Sequence, residues 1–301
     1  MQKNYRKKKM HWKTVVFLIT MMFVPVVFTV FYDLYLKAAT IKLMFSDRYA
    51  TGFGFYWIEW AFKEAITPGT QTFIAIKYIF VVGVVFNCLG LPLQIIISYF
   101  FMKKVPGTRL FRTLFYMPTL FSAVITSLVF GFMFDNTVGP LVPILREWGI
   151  NVPPQGLFFA PETAMTMIFI YIFWLTVGVS SFMLTAAMMK VPDSVIEAGR
   201  LDGVSNLKEL IFIVIPMVSP VLSVLVLSNV MAGFQLYSEI LLLTDPGQSN
   251  IYTVSYLINE SARLGRYTES AGRGFIFTII AIPLCLGVRW FFDKVLPDVT
   301  Y

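Results

Sequence analysis

The sequence is poor in charged residues and in the side chains that most catalytic sites use. Charged residues make up only 14% of the chain, whereas a water-soluble domain carries about 25%. The single histidine, His11, excludes a metal site built from several histidines. The two cysteines, Cys88 and Cys285, lie inside apolar runs, where cysteine behaves as a small hydrophobic residue and supports no disulfide framework. The apolar runs also lack paired carboxylates and a nucleophile beside a base, so we predict no catalytic residue and no metal ligand.

Hydrophobic residues, in contrast, make up 57% of the 301 residues and gather in long uncharged runs. A run of about 18 such residues can cross the hydrocarbon core of a membrane as a helix, and membrane helices tolerate the prolines found in several runs. A short run, Gly274–Val288, reaches this length if it extends to Phe292 and Arg289 reaches back to the membrane surface. We therefore predict an all-α, polytopic membrane protein with about six transmembrane helices. The other five predicted spans are Thr14–Tyr32, Tyr78–Met102, Thr113–Phe134, Thr163–Met189 and Leu210–Tyr237.

Lysine and arginine are distributed unequally between the two sides of this arrangement. The side with both termini would carry 15 of the 24 basic residues and a net charge of +9, against −2 on the other side. The positive-inside rule then places both termini in the cytoplasm. The first run is longer than the apolar part of a signal peptide and five more follow it, so we predict an uncleaved span in the cell membrane. Because the basic residues flank apolar runs and form no stripe, we expect no nucleic-acid partner.

We divide the chain into two parts. Residues 1–71 hold the basic tail, the first span and an outer segment dense in aromatic residues, and residues 72–301 hold the other five spans. The outer segment predicts a short helix in the membrane interface, held by the amphipathic rings of Tyr56, Trp57 and Trp60. A contact face for another protein is the alternative for this segment.

The loop 190–210, between the fourth and fifth spans, predicts a helical hairpin on the cytoplasmic side. The stretch 192–194, Pro-Asp-Ser, can open a first helix, with one of its polar residues as the cap. Glycine accepts positive φ without steric cost, so Asp202 and Gly203 predict the turn. A second helix, capped by Ser205, would then run into the fifth span. Taken alone, this pattern also fits a hairpin that only links two spans.

Seven residues of this hairpin and of the span after it stand at a distinctive spacing. They are Glu197, Ala198, Asp202, Gly203, Ile213, Pro216 and Pro220. This spacing resembles, in register and without a gap, the coupling motif of permeases of binding-protein-dependent ABC importers. That motif reads Glu-Ala-Ala, then Asp-Gly-Ala after two residues, then Ile-x-Leu-Pro and a further proline. The departures are small or apolar exchanges at Gly199, Val204, Leu210 and Ile215.

The resemblance extends from about Thr72 to the carboxyl end, and its nearest subgroup is the carbohydrate importers, including the larger maltose-transporter permease. It implies the type I ABC importer permease fold in a bacterial cell membrane. Other segments similar to the family are Gly107–Pro118, Phe134–Leu141, Trp174 and Leu243–Gly247, the last of which departs from the usual Leu-Thr-x-Gly-Gly-Pro.

By this resemblance the hairpin would dock on a cytoplasmic ATPase subunit. The residues implied are Glu197 as a charged anchor, Ala198 and Gly199 for close packing, Asp202 and Gly203 at the turn, and Pro216. The implied partners are two ATPase subunits that use ATP and magnesium, a second homologous permease, an extracellular solute-binding protein and membrane lipid. The chain itself would then be no enzyme and would carry no cofactor.

The absence of charge in the membrane agrees with an external energy source. Between their predicted ends the five long runs contain no Asp, Glu, Lys, Arg or His, and a proton-coupled carrier usually needs an ionisable group near mid-membrane. The function implied is import of a sugar or oligosaccharide that the binding protein delivers. Two alternatives stay open: a permease for another solute, such as a glycerol phosphodiester, and an ATP-independent carrier or channel.

Sugars are bound by hydrogen-bonding groups and aromatic faces, so polar and aromatic residues inside the spans are candidates for the substrate pathway. Counted from the motif, Asn229 matches a polar sugar-contacting position of the maltose-type permease. The alternative for the serine and threonine residues, and for Asn229, is helix packing. The candidates are Asn229, Gln235, Tyr237, Tyr171, Trp174, Thr176 and Ser180.

Overall fold

The computed structural model describes residues 12–49, 51–245, 247 and 250–295. Residues 1–11 of the predicted basic tail, and Pro246 of the segment 243–247, lie outside the described residues. Among the described residues, four helices are long and apolar enough to cross a membrane, and the number rises to six if each of two bent helix pairs is one span. The predicted all-α fold with about six spans is therefore confirmed.

In chain order the helices are α1 (Trp12–Met44), α2 (Tyr56–Ile66), α3 (Gln71–Met102), α4 (Thr108–Leu120), α5 (Ala123–Met133), α6 (Leu141–Glu147), α7 (Ala164–Met188), α8 (Asp193–Leu201), α9 (Asn206–Met217), α10 (Ser219–Gln235), α11 (Ser238–Leu243), α12 (Val254–Arg263) and α13 (Tyr267–Val295). The long membrane helices are α1, α3, α7 and α13, and the bent pairs are α4 with α5 and α9 with α10.

The first and last helices are longer than predicted. α1 continues beyond Tyr32 to Met44, which makes it about 50 Å long at 1.5 Å per residue. α13 begins at Tyr267, ahead of the predicted Gly274, because the charged residues of its first turns find partners inside the protein.

The third and fifth predicted spans are each broken into two helices, which corrects the expectation of single helices at Thr113–Phe134 and Leu210–Tyr237. The axes of α4 and α5 meet at 108°, and those of α9 and α10 meet at 82°. At the first break, Ser122 has an extended backbone and its hydroxyl caps α5 by accepting a backbone N–H. At the second break, Val218 leaves the helical conformation, and Pro220 lacks the N–H that would continue the helix.

Two other prolines are accommodated without a break by stretches of π-helix. Phe86–Gly90 precedes Pro92 in α3, and Leu210–Val214 precedes Pro216 in α9. In α3 the Leu91 N–H bonds to a carbonyl five residues back, so the hydrogen-bond ladder shifts before it meets the proline, which cannot donate.

The second half of α3, Leu91–Met102, packs against α7, and its first half, Gln71–Val85, packs against α10. Glycines allow two of the closest approaches between helices. A Cβ on Gly233 of α10 would lie 2.9 Å from the Ile79 Cα of α3, and a Cβ on Gly178 of α7 would lie 2.5 Å from the Phe115 carbonyl oxygen of α4. At both points a larger residue would force the helices apart.

The aromatic outer segment forms the predicted short helix, α2, which packs against the first turns of α13. The Trp57 indole donates to a backbone carbonyl of the preceding loop at 3.1 Å, and the Arg273 guanidinium lies 4.9 Å from the centre of the Trp60 ring. Buried Arg273 also pairs with Glu269 at 3.0 Å and with Glu64 of α2 at 3.2 Å. α2 is therefore fixed to the protein by ion pairs as well as by its rings.

Candidate functional site

The predicted hairpin is present, and its turn is made by the residues that the sequence singled out. Gly203 has a φ of +75°, the left-handed conformation that glycine adopts without steric cost. Its N–H bonds to the Arg200 carbonyl, and the Val204 N–H bonds to the Gly199 carbonyl, both at 3.0 Å. This pair of bonds is a Schellman motif, which satisfies the last carbonyls of α8 and fixes the direction in which the chain leaves it.

The two helices of the hairpin begin without the predicted side-chain caps. Asp193 is the first residue of α8, with Pro192 at the capping position, and neither Asp193 nor Ser194 bonds the first-turn amides as a cap. Ser205 does stand at the capping position of α9, but its hydroxyl makes no capping bond. The cap predicted for the first helix is therefore wrong, and the one predicted for the second is right in position but makes no bond. The Asp193 carboxylate still lies favourably at the positive end of the α8 dipole.

The tip of the hairpin exposes a small apolar surface between charged groups. Glu197, Ala198 and Asp202 are exposed, and Leu201 between them is 90% exposed. Among the described residues, Leu201 is the most exposed of the large hydrophobic side chains. Sequence reasoning missed Leu201 because only its exposure, which depends on the turn, distinguishes it from the other leucines of the chain.

Gly199 makes its close approach inside the hairpin and not at an open surface. A Cβ at this position would lie 2.8 Å from Ile213 Cδ1 of α9. Gly199 is buried, whereas the neighbouring Ala198 is exposed. The two small residues therefore face in different directions, and only Ala198 is open to another molecule in this structure. Pro216, the last of the residues implied for ATPase coupling, is in α9 just before the 82° bend.

A buried carboxylate joins the hairpin to the end of α3. Glu209 of α9 is 1% exposed, and its Oε1 lies 2.5 Å from Lys103 Nζ and 3.2 Å from the Tyr99 hydroxyl, which donates to it. The Arg200 Nε of α8 lies 3.6 Å from the other carboxylate oxygen. Lys103 directly follows α3, where a cation also compensates the negative end of the helix dipole. The carboxylate of Glu209 thus joins α9 to α8 and to the end of α3.

Asn229, the first candidate of the substrate pathway, is buried between α10 and α3. Its amide nitrogen lies 3.4 Å from the Phe86 carbonyl and 3.4 Å from the Asn87 side-chain oxygen. Asn87 in turn donates to the Gly83 carbonyl at 2.7 Å. Both partners of Asn229 belong to the π-helical stretch of α3. Sequence reasoning missed Asn87, one of the few polar residues within a long apolar run.

The four candidates on α7 have different environments. Tyr171 is fully buried, and its hydroxyl bonds to those of Thr126 and Ser127 of α5 at 3.0 and 2.9 Å. Ser180 is also buried, and Thr176 is half-buried. Trp174 is exposed at one side and stacks on the Phe130 ring, with 5.7 Å between the ring centres. Of this group, Trp174 presents the largest open aromatic surface.

Gln235 and Tyr237 flank a break between α10 and α11. The carbonyls freed at this break are satisfied by hydroxyls from the segment before α12, since Ser255 donates to Phe234 and Thr253 donates to Leu236. Gln235 is exposed and Tyr237 is half-buried. The break therefore presents an amide and a phenol at the end of α10 away from the hairpin.

The structure does not bring the seven pathway candidates into one pocket. None of them lines the cavity of about 580 Å³ between α3, α10 and α13, which is almost entirely apolar. Asn87 does line this cavity, beside Cys88. Asn229 faces α3 and Tyr171 faces α5, so the two most buried candidates point to different neighbours.

The chain as a whole matches one protein family. The family described as binding-protein-dependent transport system inner membrane component has a model that matches residues 3–301.

Curated relatives of the chain are permeases. The chain is 22% identical over 201 residues to the arabinooligosaccharides transport system permease protein AraP of Bacillus subtilis (strain 168), covering 65% of this chain and 64% of AraP. It is 24% identical over 184 residues to the probable ABC transporter permease protein YurN of the same organism, covering 60% and 63%. It is 29% identical over 189 residues to the lactose transport system permease protein LacF of Rhizobium radiobacter, covering 60% and 63%. The chain thus spans somewhat less than two thirds of the length of these relatives.

Two solved structures share the fold over nearly the whole chain. One is a bacterial ABC transporter involved in the import of the acidic polysaccharide alginate, with a TM-score of 0.77, 20% identity, and 94% of this chain and 98% of that chain covered. The other is a bacterial alginate ABC transporter in complex with a periplasmic protein bound to an alginate pentasaccharide, with a TM-score of 0.73, 18% identity, and 96% and 99% covered. At these identities the likeness concerns the fold.

Proposed function

Because the chain belongs to the family of binding-protein-dependent transport system inner membrane components, we propose that it is one permease subunit of an ATP-driven importer for a sugar or oligosaccharide. As a member of this family it is a membrane component and not an enzyme. The relatives named for arabinooligosaccharides and lactose support a saccharide as the cargo.

The observation that carries the proposal is the exposed tip of the hairpin. A Schellman turn holds Leu201 in the open beside Glu197, Ala198 and Asp202. A cytoplasmic ATPase subunit would accept Leu201 and Ala198 in an apolar groove and pair a basic residue with Glu197. Gly203 would maintain the turn, while Gly199 and Pro216 would shape the hairpin from behind.

The rest of the assembly follows from this role. Two ATPase subunits, which bind ATP and magnesium, would close on each other and draw the hairpins of two homologous permeases together. An extracellular binding protein would deliver the solute on the opposite side. The net charge of +9 on the predicted side that holds the hairpin and both termini supports a cytoplasmic location for them, with the chain in the bacterial plasma membrane. The division at residue 71 separates the first span and its outer segment from the permease core.

For the pathway, we place Trp174, Gln235 and Tyr237 in contact with the solute because their side chains are open or half-open. A sugar ring can stack on the indole of Trp174 and exchange hydrogen bonds with the amide and the phenol. Asn229, Tyr171, Thr176 and Ser180 would support the pathway through helix contacts. A glycerol phosphodiester remains the alternative cargo.

The test is co-purification of the permease with its ATPase from cells that express the whole transporter. Leu201→Asp should abolish co-purification, because a charge would enter an apolar groove. The matched control is Leu264→Asp, which alters an exposed leucine at the end of α12 and should leave the complex intact. An ATPase that stays bound to the Leu201→Asp variant would contradict docking at the hairpin tip. A permease that transports without any ATPase would favour the ATP-independent carrier.

A further inference from the structure

A basic cleft opens between the end of α3, the start of α4 and the end of α7. Its volume is about 890 Å³, and its walls include Lys104, Arg109, Arg112 and Met189. Threonine hydroxyls from α4 complete the lining. Three cations around one opening form a surface that suits an anion with several acceptor oxygens, whereas the Thr108 and Thr113 hydroxyls donate to the Val105 and Arg109 carbonyls.

No carboxylate of the described residues neutralises the cations of this cleft. The sequence has no acidic residue between Glu64 and Asp135, and across the described ranges no carboxylate lies within ion-pair distance of Lys104, Arg109 or Arg112.

The acidic residues on neighbouring elements either pair with another residue or line a different cleft. Glu209 is held by Lys103, whereas Asp193 and Glu197 line a separate cleft that shares only Lys104 and Met189 with the first. The Nε of Arg112 is buried and has no hydrogen-bond partner among the described residues.

α4 is strongly amphipathic, with the basic residues on one side and apolar residues on the other. Thr108, Arg109, Arg112 and Thr113 follow one another at helical spacing along the cleft. Leu110, Phe111 and Leu114 occupy the opposite side of the helix, and all three are exposed. Nothing within the described chain covers this apolar side.

The position of α4 along α7 gives the depth in the membrane of the basic side and of the apolar side of α4. The Phe115 carbonyl is next to Gly178, eleven residues before Met189 at the cleft. At 1.5 Å per residue, the Phe115 carbonyl therefore lies about 16 Å along α7 from Met189, where the membrane helices α3 and α7 end. The basic side begins at the depth of the lipid headgroups, and the apolar side reaches the depth of the acyl chains.

We propose that this cleft binds the phosphate of an anionic phospholipid, while Leu110, Phe111 and Leu114 on the other side of α4 contact the acyl chains of the surrounding bilayer. Arg109 and Arg112 would hold the phosphate oxygens, and Lys104 would close the site from the end of α3. The leaflet rests on the proposed function, which places this end of the helices in the cytoplasm. There, anionic lipid and a basic pocket between membrane helices complement each other.

The experiment is native mass spectrometry of the purified full-length chain in detergent with phosphatidylglycerol or phosphatidylcholine added. The wild type should retain phosphatidylglycerol in preference to phosphatidylcholine. Each cation at a membrane surface is worth about five-fold in affinity, so Arg109→Gln/Arg112→Gln should weaken phosphatidylglycerol binding about 30-fold. Arg109→Lys/Arg112→Lys keeps the charge and should retain most of the preference. The matched control, Lys42→Gln/Arg48→Gln, removes two cations near the other end of the membrane helices and should bind like the wild type.

Two results would overturn the proposal: equal retention of both lipids by the wild type, or unchanged phosphatidylglycerol binding by the double glutamine variant. Soluble glycerol 3-phosphate at millimolar concentration should not displace the lipid, and equal competition would make the cleft a site for a soluble anion instead. Loss of the ATPase from the double glutamine variant, with its lipid retained, would assign the cleft to the protein partner. Lipid retention is measured without the ATPase, so its outcome is independent of the Leu201→Asp test.

Discussion

The buried carboxylate of Glu209 makes a sharp prediction about stability, in which removing two charges does less harm than removing one. Lys103→Met would leave the carboxylate 1% exposed and without its partner at 2.5 Å. Glu209→Leu would leave an unpaired ammonium at Lys103. The double variant Lys103→Met/Glu209→Leu has neither charge and fills the same space with apolar side chains.

The magnitudes follow from the burial of each group. The remaining cation near Glu209 in the Lys103→Met variant is Arg200 at 3.6 Å, and because Arg200 is 56% exposed its pairing is worth at most about 1 kcal/mol. Breaking a buried pair costs about 3–5 kcal/mol, so we expect that range for Lys103→Met. Glu209→Leu should cost about 2 kcal/mol, because the long lysine side chain can reach water. The double variant should lie within about 1 kcal/mol of the wild type, since apolar replacement of a buried pair is often neutral.

The assay is thermal unfolding of each purified variant in the same detergent, followed by tryptophan fluorescence. At roughly 2–4 °C per kcal/mol, Lys103→Met should lower the Tm on the order of 10 °C. The double variant should recover most of that loss. Lys208→Met is the matched control, because Lys208 is the exposed neighbour of Glu209, and it should unfold with the wild type. Additive losses in the double variant would refute a coupled pair.

Two further predictions concern a close helix contact and a titrating loop. Gly178→Ala should lower the free energy of unfolding by about 1–3 kcal/mol, because its methyl would meet the Phe115 carbonyl oxygen at 2.5 Å. Gly287→Ala, in open space on α13, should be neutral or slightly stabilising in the same detergent melt. Asp47 accepts hydrogen bonds from the Thr51 hydroxyl and backbone, which hold the pKa of its carboxyl below the ordinary value. The turn should therefore be fully stable above the pKa that Asp47 has in the unfolded chain, and it should loosen as pH falls through the lowered pKa of the folded protein. Amide hydrogen exchange of Thr51 should become faster in that pH range. Asp47→Asn should abolish this pH dependence.

The end of α3 and both ends of α7 could be predicted from sequence, whereas α3 and α13 begin before Lys77 and Arg273, the charges that limited the predicted spans. α3 ends at Met102, as predicted, because Lys103 follows, and α7 differs from Thr163–Met189 by one residue at each end. Hydropathy measures the cost of leaving water, and that cost is a property of each residue. Hydropathy contains no information on the direction of a helix axis, so the prediction treated the bent pair α9 and α10 as one straight helix.

The polar partners could not be predicted, because they join residues that are far apart in the chain. Glu209 contributed only its charge to the orientation argument, yet its partner Lys103 is 106 residues away. Arg273 fell outside the predicted sixth span, and its partner Glu64 is 209 residues away. Among the motif residues, the turn at Gly203 was predictable because a glycine turn is a local property.

The contacts of α3 suggest how movement of the hairpin would reach the membrane. The bend of 82° at Val218 separates α9 from α10, so α10 is not a rigid continuation of the hairpin. α3, in contrast, is tied to the hairpin through Lys103 and Glu209, and to α10 through Asn229 at its π-helical stretch. We infer that α3 transmits the displacement and that the ion pair is its attachment point. A double variant Lys103→Met/Glu209→Leu with restored stability should then hydrolyse ATP in the full transporter while it imports less solute per ATP. Unchanged import per ATP would mean that apolar packing of the hairpin on α3 is sufficient to move it.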